Sequence, residues 1–196
     1  MEFWKQKPDK NKIFKHEIKP QFISILGSGW LGLPLAEYLV KQSYQVKAST
    51  RSDHRIAEIE TVAACPFVID IDQLRDNIQN FLDSEILIIN ITSKNQISYR
   101  NLIAEVAKSP VSKVLLVSST SVYKFTNNIV TESNESEDEG HPLCQIERLF
   151  QSCYQFKTTI VRFAGLFGYS RHPGRFFSNS NIVPQADSPV NLIHRD

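Results

Sequence analysis

The chain has 196 residues, a net charge of +1, 41% apolar residues and three cysteines. That length suits one domain with a real core. The near-neutral charge gives no footprint for nucleic acid, and no apolar run reaches the length of a membrane span.

The first residues lack the apolar segment of a secretory signal. Cys65, Cys144 and Cys153 have no metal-ligand or redox spacing. Reduced thiols in a cytoplasmic protein without a metal are therefore expected. Residues 1–20 carry Lys5, Lys7, Lys10, Lys12, Lys15 and Lys19. This basic arm reads as a mobile, solvated tail, with an anion-binding or partner-binding arm as the sharper reading.

From Phe22 to Ala36 the chain reads as an apolar strand, then G-x-G-x-x-G, then an amphipathic helix. That order is what a dinucleotide site requires. Gly27 permits the tight turn, Gly29 lets a pyrophosphate approach the backbone, and Gly32 lets the helix pack near the strand. Ser28, Trp30 and Leu31 complete the loop. The helix start offers unpaired N–H groups and a positive dipole end. Pro34 removes one hydrogen bond of that helix and is expected to bend it.

Tyr44–Arg51 reads as a second strand, whose end should approach an adenosine ribose. An NAD site usually has Asp or Glu there. This chain has Ser49, Thr50, Arg51 and Ser52, which suit a 2′-phosphate. NADP is therefore favoured over NAD, although Asp53 just beyond keeps NAD open.

Further along, Ile56–Glu60 reads as a short helix and Pro66–Asp70 as a third strand. Leu74, Ile78, Phe81 and Leu82 mark a helix. Ile86–Ile91 is a fourth strand, Tyr99–Lys108 a helix, and Val114–Val117 a fifth strand. A helix opened by Pro142 and a sixth strand at Thr158–Phe163 follow. Continuous apolar strands alternating with helices imply a parallel sheet covered on both faces. The glycine-rich loop, Asp70, Thr92, Ser93, Ser118 and Ser119 should line one crevice at the strand ends. The acidic run at 132–139 reads as a solvated loop.

Val117-Ser118-Ser119-Thr120-Ser121-Val122-Tyr123, after that glycine-rich start, resembles the extended short-chain dehydrogenase/reductase superfamily. The superfamily includes NAD-dependent epimerases and dehydratases of nucleotide sugars. Similarity is closer to an atypical branch, the YeeZ-like proteins. Arg162–Gly168, Arg171–Phe177 and Asn191–His194 carry it further, and it covers residues 22–196. The resemblance implies an α/β, Rossmann-type doubly wound parallel sheet at 21–164. It implies a partial, truncated substrate lobe at 165–196. Apolar surface at Ile182, Val183 and Val190 would then favour self-association or instability.

In the family, a Ser at the position of Ser119 holds the reacting oxygen. A Tyr-x-x-x-Lys pair on the next helix completes the site, the Lys lowering the Tyr pKa for proton exchange. No Tyr here is followed by Lys four positions later. Anchoring the helix on Glu147 puts the Lys slot at Leu143 and the Tyr slot at Glu139. Tyr123 and His141 are the substitute candidates. Arg171, His172 and Arg175 suit a phosphate or carboxylate of a small-molecule substrate. Two readings follow: an NAD(P)-dependent oxidoreductase or epimerase/dehydratase acting on a polar metabolite, or a non-catalytic NAD(P)-binding sensor or remnant.

Overall fold

The structure, a computed structural model, describes residues 22–124, 129–133, 136–174 and 190–196. The basic arm, Glu135, Arg175, Ile182 and Val183 lie outside the described residues. Six parallel strands form the main sheet: β1 (Phe22–Leu26), β2 (Gln45–Thr50), β3 (Cys65–Val68), β4 (Ile86–Ile89), β5 (Lys113–Ser119) and β6 (Lys157–Phe163). Their order is β3-β2-β1-β4-β5-β6. β7 (Gly165–Phe167) and β8 (Leu192–His194) pair as a separate parallel ribbon. The expected doubly wound sheet is therefore present.

Alternation along the strands divides the core into two layers. Ile23, Ile25, Ala48 and Ile88 face one way, toward helices α1 (Gly32–Lys41) and α2 (Ile56–Thr61). Leu26, Leu87, Ile89, Val114 and Leu116 face the other. There they meet α3 (Ile78–Leu82), α4 (Gln96–Val106) and α5 (Pro142–Gln151) through Phe81, Tyr99, Leu102, Ile146 and Phe150. Tyr99 and Phe150 meet edge to face at 5.9 Å, a favoured arrangement of two ring quadrupoles. Burial pushes the Tyr99 phenol well above its ordinary range.

Helix starts follow their local chemistry. Asn95 caps α4, its side chain accepting from the N–H groups of Ile97 and Ser98. His141 caps α5, Nδ1 accepting from Leu143 N–H, with Pro142 in the first turn. Its ring is thereby used to start a helix. The helix expected around Leu74–Leu82 is shorter, with only Ile78–Leu82 helical. Asp70 accepts from Asp72 N–H and turns the chain into a 3₁₀ turn at Ile71–Gln73. Leu74 still packs on the core. Among the described residues no helix is long and apolar enough to cross a membrane.

Between β1 and β4 the strand order changes direction. In such sheets the crevice outside the carboxyl ends at that point receives ligands. Gly27 and Asn90, the first residues after these two strands, stand there.

Candidate functional site

The turn after β1 is held by its neighbours. Gly27 N–H donates to Ser49 Oγ at 3.0 Å, and Ser28 N–H to the Ser49 carbonyl at 2.8 Å. Asn90 Nδ2 donates to the Gly27 carbonyl at 3.3 Å. Gly27 has φ +102°, a left-handed conformation that disfavours side chains. A Cβ on Gly32 would stand 2.0 Å from the Gly27 carbonyl oxygen. A Cβ on Gly29 would meet nothing within 4 Å. The three glycines thus differ: Gly27 turns, Gly32 packs, and Gly29 faces open space.

That open space belongs to a cavity of about 810 Å³ at the carboxyl edge of the sheet. Its wall includes Gly27, Ser28, Gly29, Trp30, Leu31, Arg51, Ser52, Asp70, Thr92, Ser93, Ser118, Ser119 and Arg171. Gly32 lies behind this wall, buried against the turn. Helix α1 opens onto the cavity without a side-chain cap or an acidic residue in its first turn. Its end is therefore receptive to an anion. Ser28 Oγ is buried and has no hydrogen-bond partner among the described residues.

Some expected groups act differently. The Ser49 hydroxyl holds Gly27, and the Thr50 hydroxyl bonds Ser52 main chain. The Thr50 hydroxyl is used within its own turn, while the Ser49 O–H keeps its proton to donate. Ser52 Oγ is paired with His54 Nδ1. Arg51 borders the cavity and also a side pocket of about 80 Å³ with Arg75, Gln73 and Asn77. A second arginine was missed from the sequence. Arg55 also lines the cavity, Nη2 donating to the Ser28 carbonyl at 3.1 Å and to Glu58 Oε2 at 2.7 Å. Arg55 in turn holds the Glu58 carboxyl below its ordinary range. Asn90 was missed too. Its signal was an amide directly after the most apolar strand.

At the far end, Ser119 Oγ accepts from Ser121 N–H at 3.1 Å. Its O–H stays available to donate into the cavity. Leu143, at the position matched to the family's Lys, is on the cavity wall. Glu139, at the Tyr slot, instead pairs with Arg148 at 2.8 Å on the surface. Tyr123, a substitute candidate for the family's Tyr, is not among the residues lining the cavity. Its hydroxyl accepts from Arg162 Nη1 at 2.8 Å, and its ring lies against that guanidinium. Arg162 also binds Glu137 at 2.7 Å and the buried Glu147. Ser118 Oγ donates to Glu147 Oε1 at 2.5 Å. These carboxylates push the Arg162 pKa up. His172 does not line the cavity either. Its Nδ1 accepts from Gly174 N–H at 3.1 Å.

No family model matches the chain. YeeZ of Escherichia coli K12 is 27% identical over 187 residues, 88% of this chain and 68% of YeeZ. A solved protein from Methylobacillus flagellatus, assigned to the NAD-dependent epimerase/dehydratase class, is 25% identical with TM-score 0.68. It is matched over 91% of this chain and 67% of its own.

The chain is similar to YeeZ and to this epimerase/dehydratase protein.

The fold also matches UDP-glucuronic acid 4-epimerase from Bacillus cereus, solved with a UDP-sugar and NAD. There the TM-score is 0.72 at 14% identity, over 90% of this chain and 70% of that one. The chain spans about two thirds of these YeeZ-like and epimerase relatives.

Proposed function

We propose that the chain binds NAD(P), with NADP preferred, and belongs to an oxidoreductase or epimerase/dehydratase acting on a polar, nucleotide-sugar-like metabolite. One observation carries this reading: a single cavity joins the glycine-rich turn to Ser119. The residues fit a dinucleotide. Gly29 leaves room where a side chain would stand, and buried Ser28 Oγ awaits a partner. The helix N-terminus suits the pyrophosphate. Arg51, with Arg55 beside it, favours an anion at the ribose, which supports NADP. The epimerase with a similar fold holds NAD.

When bound, the nicotinamide would accept or donate hydride. Ser119 O–H would donate to the reacting oxygen of the substrate. Arg171, on the cavity wall with its guanidinium 4.5 Å from the centroid of the Trp30 ring, would take a phosphate or carboxylate of the substrate. Leu143 cannot lower a phenol pKa or bind a ribose hydroxyl. Proton exchange therefore lacks its usual tuned acid, and turnover should be slow.

Leu143 on the cavity wall also supports a second reading, a non-catalytic NAD(P)-binding protein. Calorimetry with NADPH and NADH, then an activated-sugar panel followed at the reduced-nicotinamide band, separates the two. The enzyme reading expects weak turnover that falls at least tenfold in Ser119→Ala. Dinucleotide binding with no turnover on any substrate supports the second reading. Failure to bind either dinucleotide would sink both.

A further inference from the structure

Pro34 breaks the hydrogen-bond ladder where α1 begins. Leu33 N–H donates to the Gly29 carbonyl at 3.0 Å, and Leu35 N–H to the Leu31 carbonyl at 3.2 Å. Between them the Trp30 carbonyl would take the N–H of residue 34, which proline lacks. Arg195, 165 positions away, serves instead. Its Nη1 donates to the Trp30 oxygen at 3.2 Å.

The same guanidinium is restrained on other sides. It lies 5.0 Å from the centroid of the Trp30 indole and 4.1 Å from that of the Tyr169 ring. Its Nε donates to Asp196 Oδ1 at 3.0 Å. The side chain is only 13% exposed. Tyr169 also packs at a tilt against His194 of β8, whose imidazole fills the space beside Gly168. Arg195 is thus anchored in the β7–β8 ribbon and reaches back to the glycine-rich turn.

We propose that Arg195 is a positioning residue for dinucleotide binding, acting through the Trp30 peptide. The Trp30 carbonyl and the Leu31 N–H belong to one rigid planar unit. Holding the oxygen therefore holds the N–H, at a residue on the cavity wall. Without a donor, this peptide would rotate to seek water and carry the Leu31 N–H away from a phosphate. Pre-organised donors bind an anion without first losing that freedom. The proposal rests on the reading that the glycine-rich turn binds NAD(P).

The test uses the full chain, titrated with NADPH and NADH. Arg195→Met should weaken both by about tenfold while circular dichroism is unchanged. Adding Pro34→Ala restores an N–H to the Trp30 carbonyl but none of the other Arg195 contacts. It should recover most of the lost affinity, which a merely structural role for Arg195 does not predict. A second readout needs no cofactor. With Trp4→Phe, Trp30 is the sole tryptophan of the two. Arg195→Met should then make Trp30 more quenchable by acrylamide, with or without Pro34→Ala. If Arg195→Met loses its helical signal, Arg195→Leu, which likewise has no donor, carries the same comparison.

Unchanged affinity in Arg195→Met, or no recovery with Pro34→Ala, overturns the proposal. A parent chain that binds neither dinucleotide overturns the cofactor reading itself. In that case the quenching experiment still reports whether Arg195 covers Trp30.

Discussion

Gly32 lies so close to Gly27 that a Cβ on it would meet the Gly27 carbonyl oxygen at 2.0 Å. That oxygen is already fixed by Asn90. Helix and strand must separate to admit even one methyl group. Gly32→Ala should therefore destabilise the fold by on the order of 3 kcal/mol, the upper end of overpacking costs. Urea unfolding reads this directly, and a midpoint equal to the parent's would refute the packing role.

Gly29→Val should behave in the opposite way. Its Cβ direction is open, so no protein atom resists the new side chain. The variant should unfold near the parent midpoint yet lose NADPH binding, because the branched chain fills the phosphate position. Normal binding in a folded Gly29→Val chain would mean the cavity holds its ligand elsewhere.

The two arginines on the cavity wall, Arg51 and Arg55, should separate in titrations. Arg51 has no main-chain duty in this site, so Arg51→Ala should weaken NADPH roughly tenfold and NADH little. Arg55 supports the Ser28 carbonyl. Arg55→Ala should therefore weaken both dinucleotides. Equal losses with NADPH and NADH in Arg51→Ala would remove the argument for NADP.

Glu147 is 2% exposed and receives Ser118 and Arg162 together. Arg162→Met leaves that carboxylate buried without its ion pair, at a cost of about 3–5 kcal/mol. Glu147→Gln should cost less, since an amide needs less compensation in the same place. Differential denaturation of the two variants checks the order.

Acid should weaken the same network through Glu137. The Arg162 hydrogen bond holds its carboxyl below the ordinary range. A lowered folded-state pKa stabilises fully above the unfolded value, near about 4.3. That contribution is lost as pH falls through the lower folded value. Glu137→Gln should therefore flatten the decline of thermal midpoint below about pH 4. An unchanged slope would show that Glu137 does not couple to folding.

The sheet was legible because its central strands β1 and β4 are apolar on both faces and the helices keep an inner stripe. Ile23, Ile25 and Leu26 already declare a buried strand, and Leu102 and Val106 a one-sided helix. The turn was legible because its glycines have separate steric reasons. Side-chain direction was less so. Tyr123 follows a strand end, which suggested the cavity, yet Arg162 from the neighbouring strand captures its hydroxyl. Ser49 looked like a ribose contact alone, but its side chain also accepts from the Gly27 N–H of the neighbouring strand end and holds the turn. Local spacing cannot show such competition between elements. The link from Arg195 to Trp30 was equally hidden, because its partners stand 165 positions apart.

The two borders of the main sheet differ. β3 is a short outer strand carrying Pro66, while β6 is the outer strand on the opposite side. A proline in a border strand offers no N–H to an incoming chain. Growth by strand addition is therefore discouraged on the β3 side and left to β6. Two copies that met β6 to β6 would be related by a two-fold axis and would present only Pro66-bearing borders outward. Such a pair would close on itself and leave Pro66 on each outer border, where it offers no N–H to a further strand.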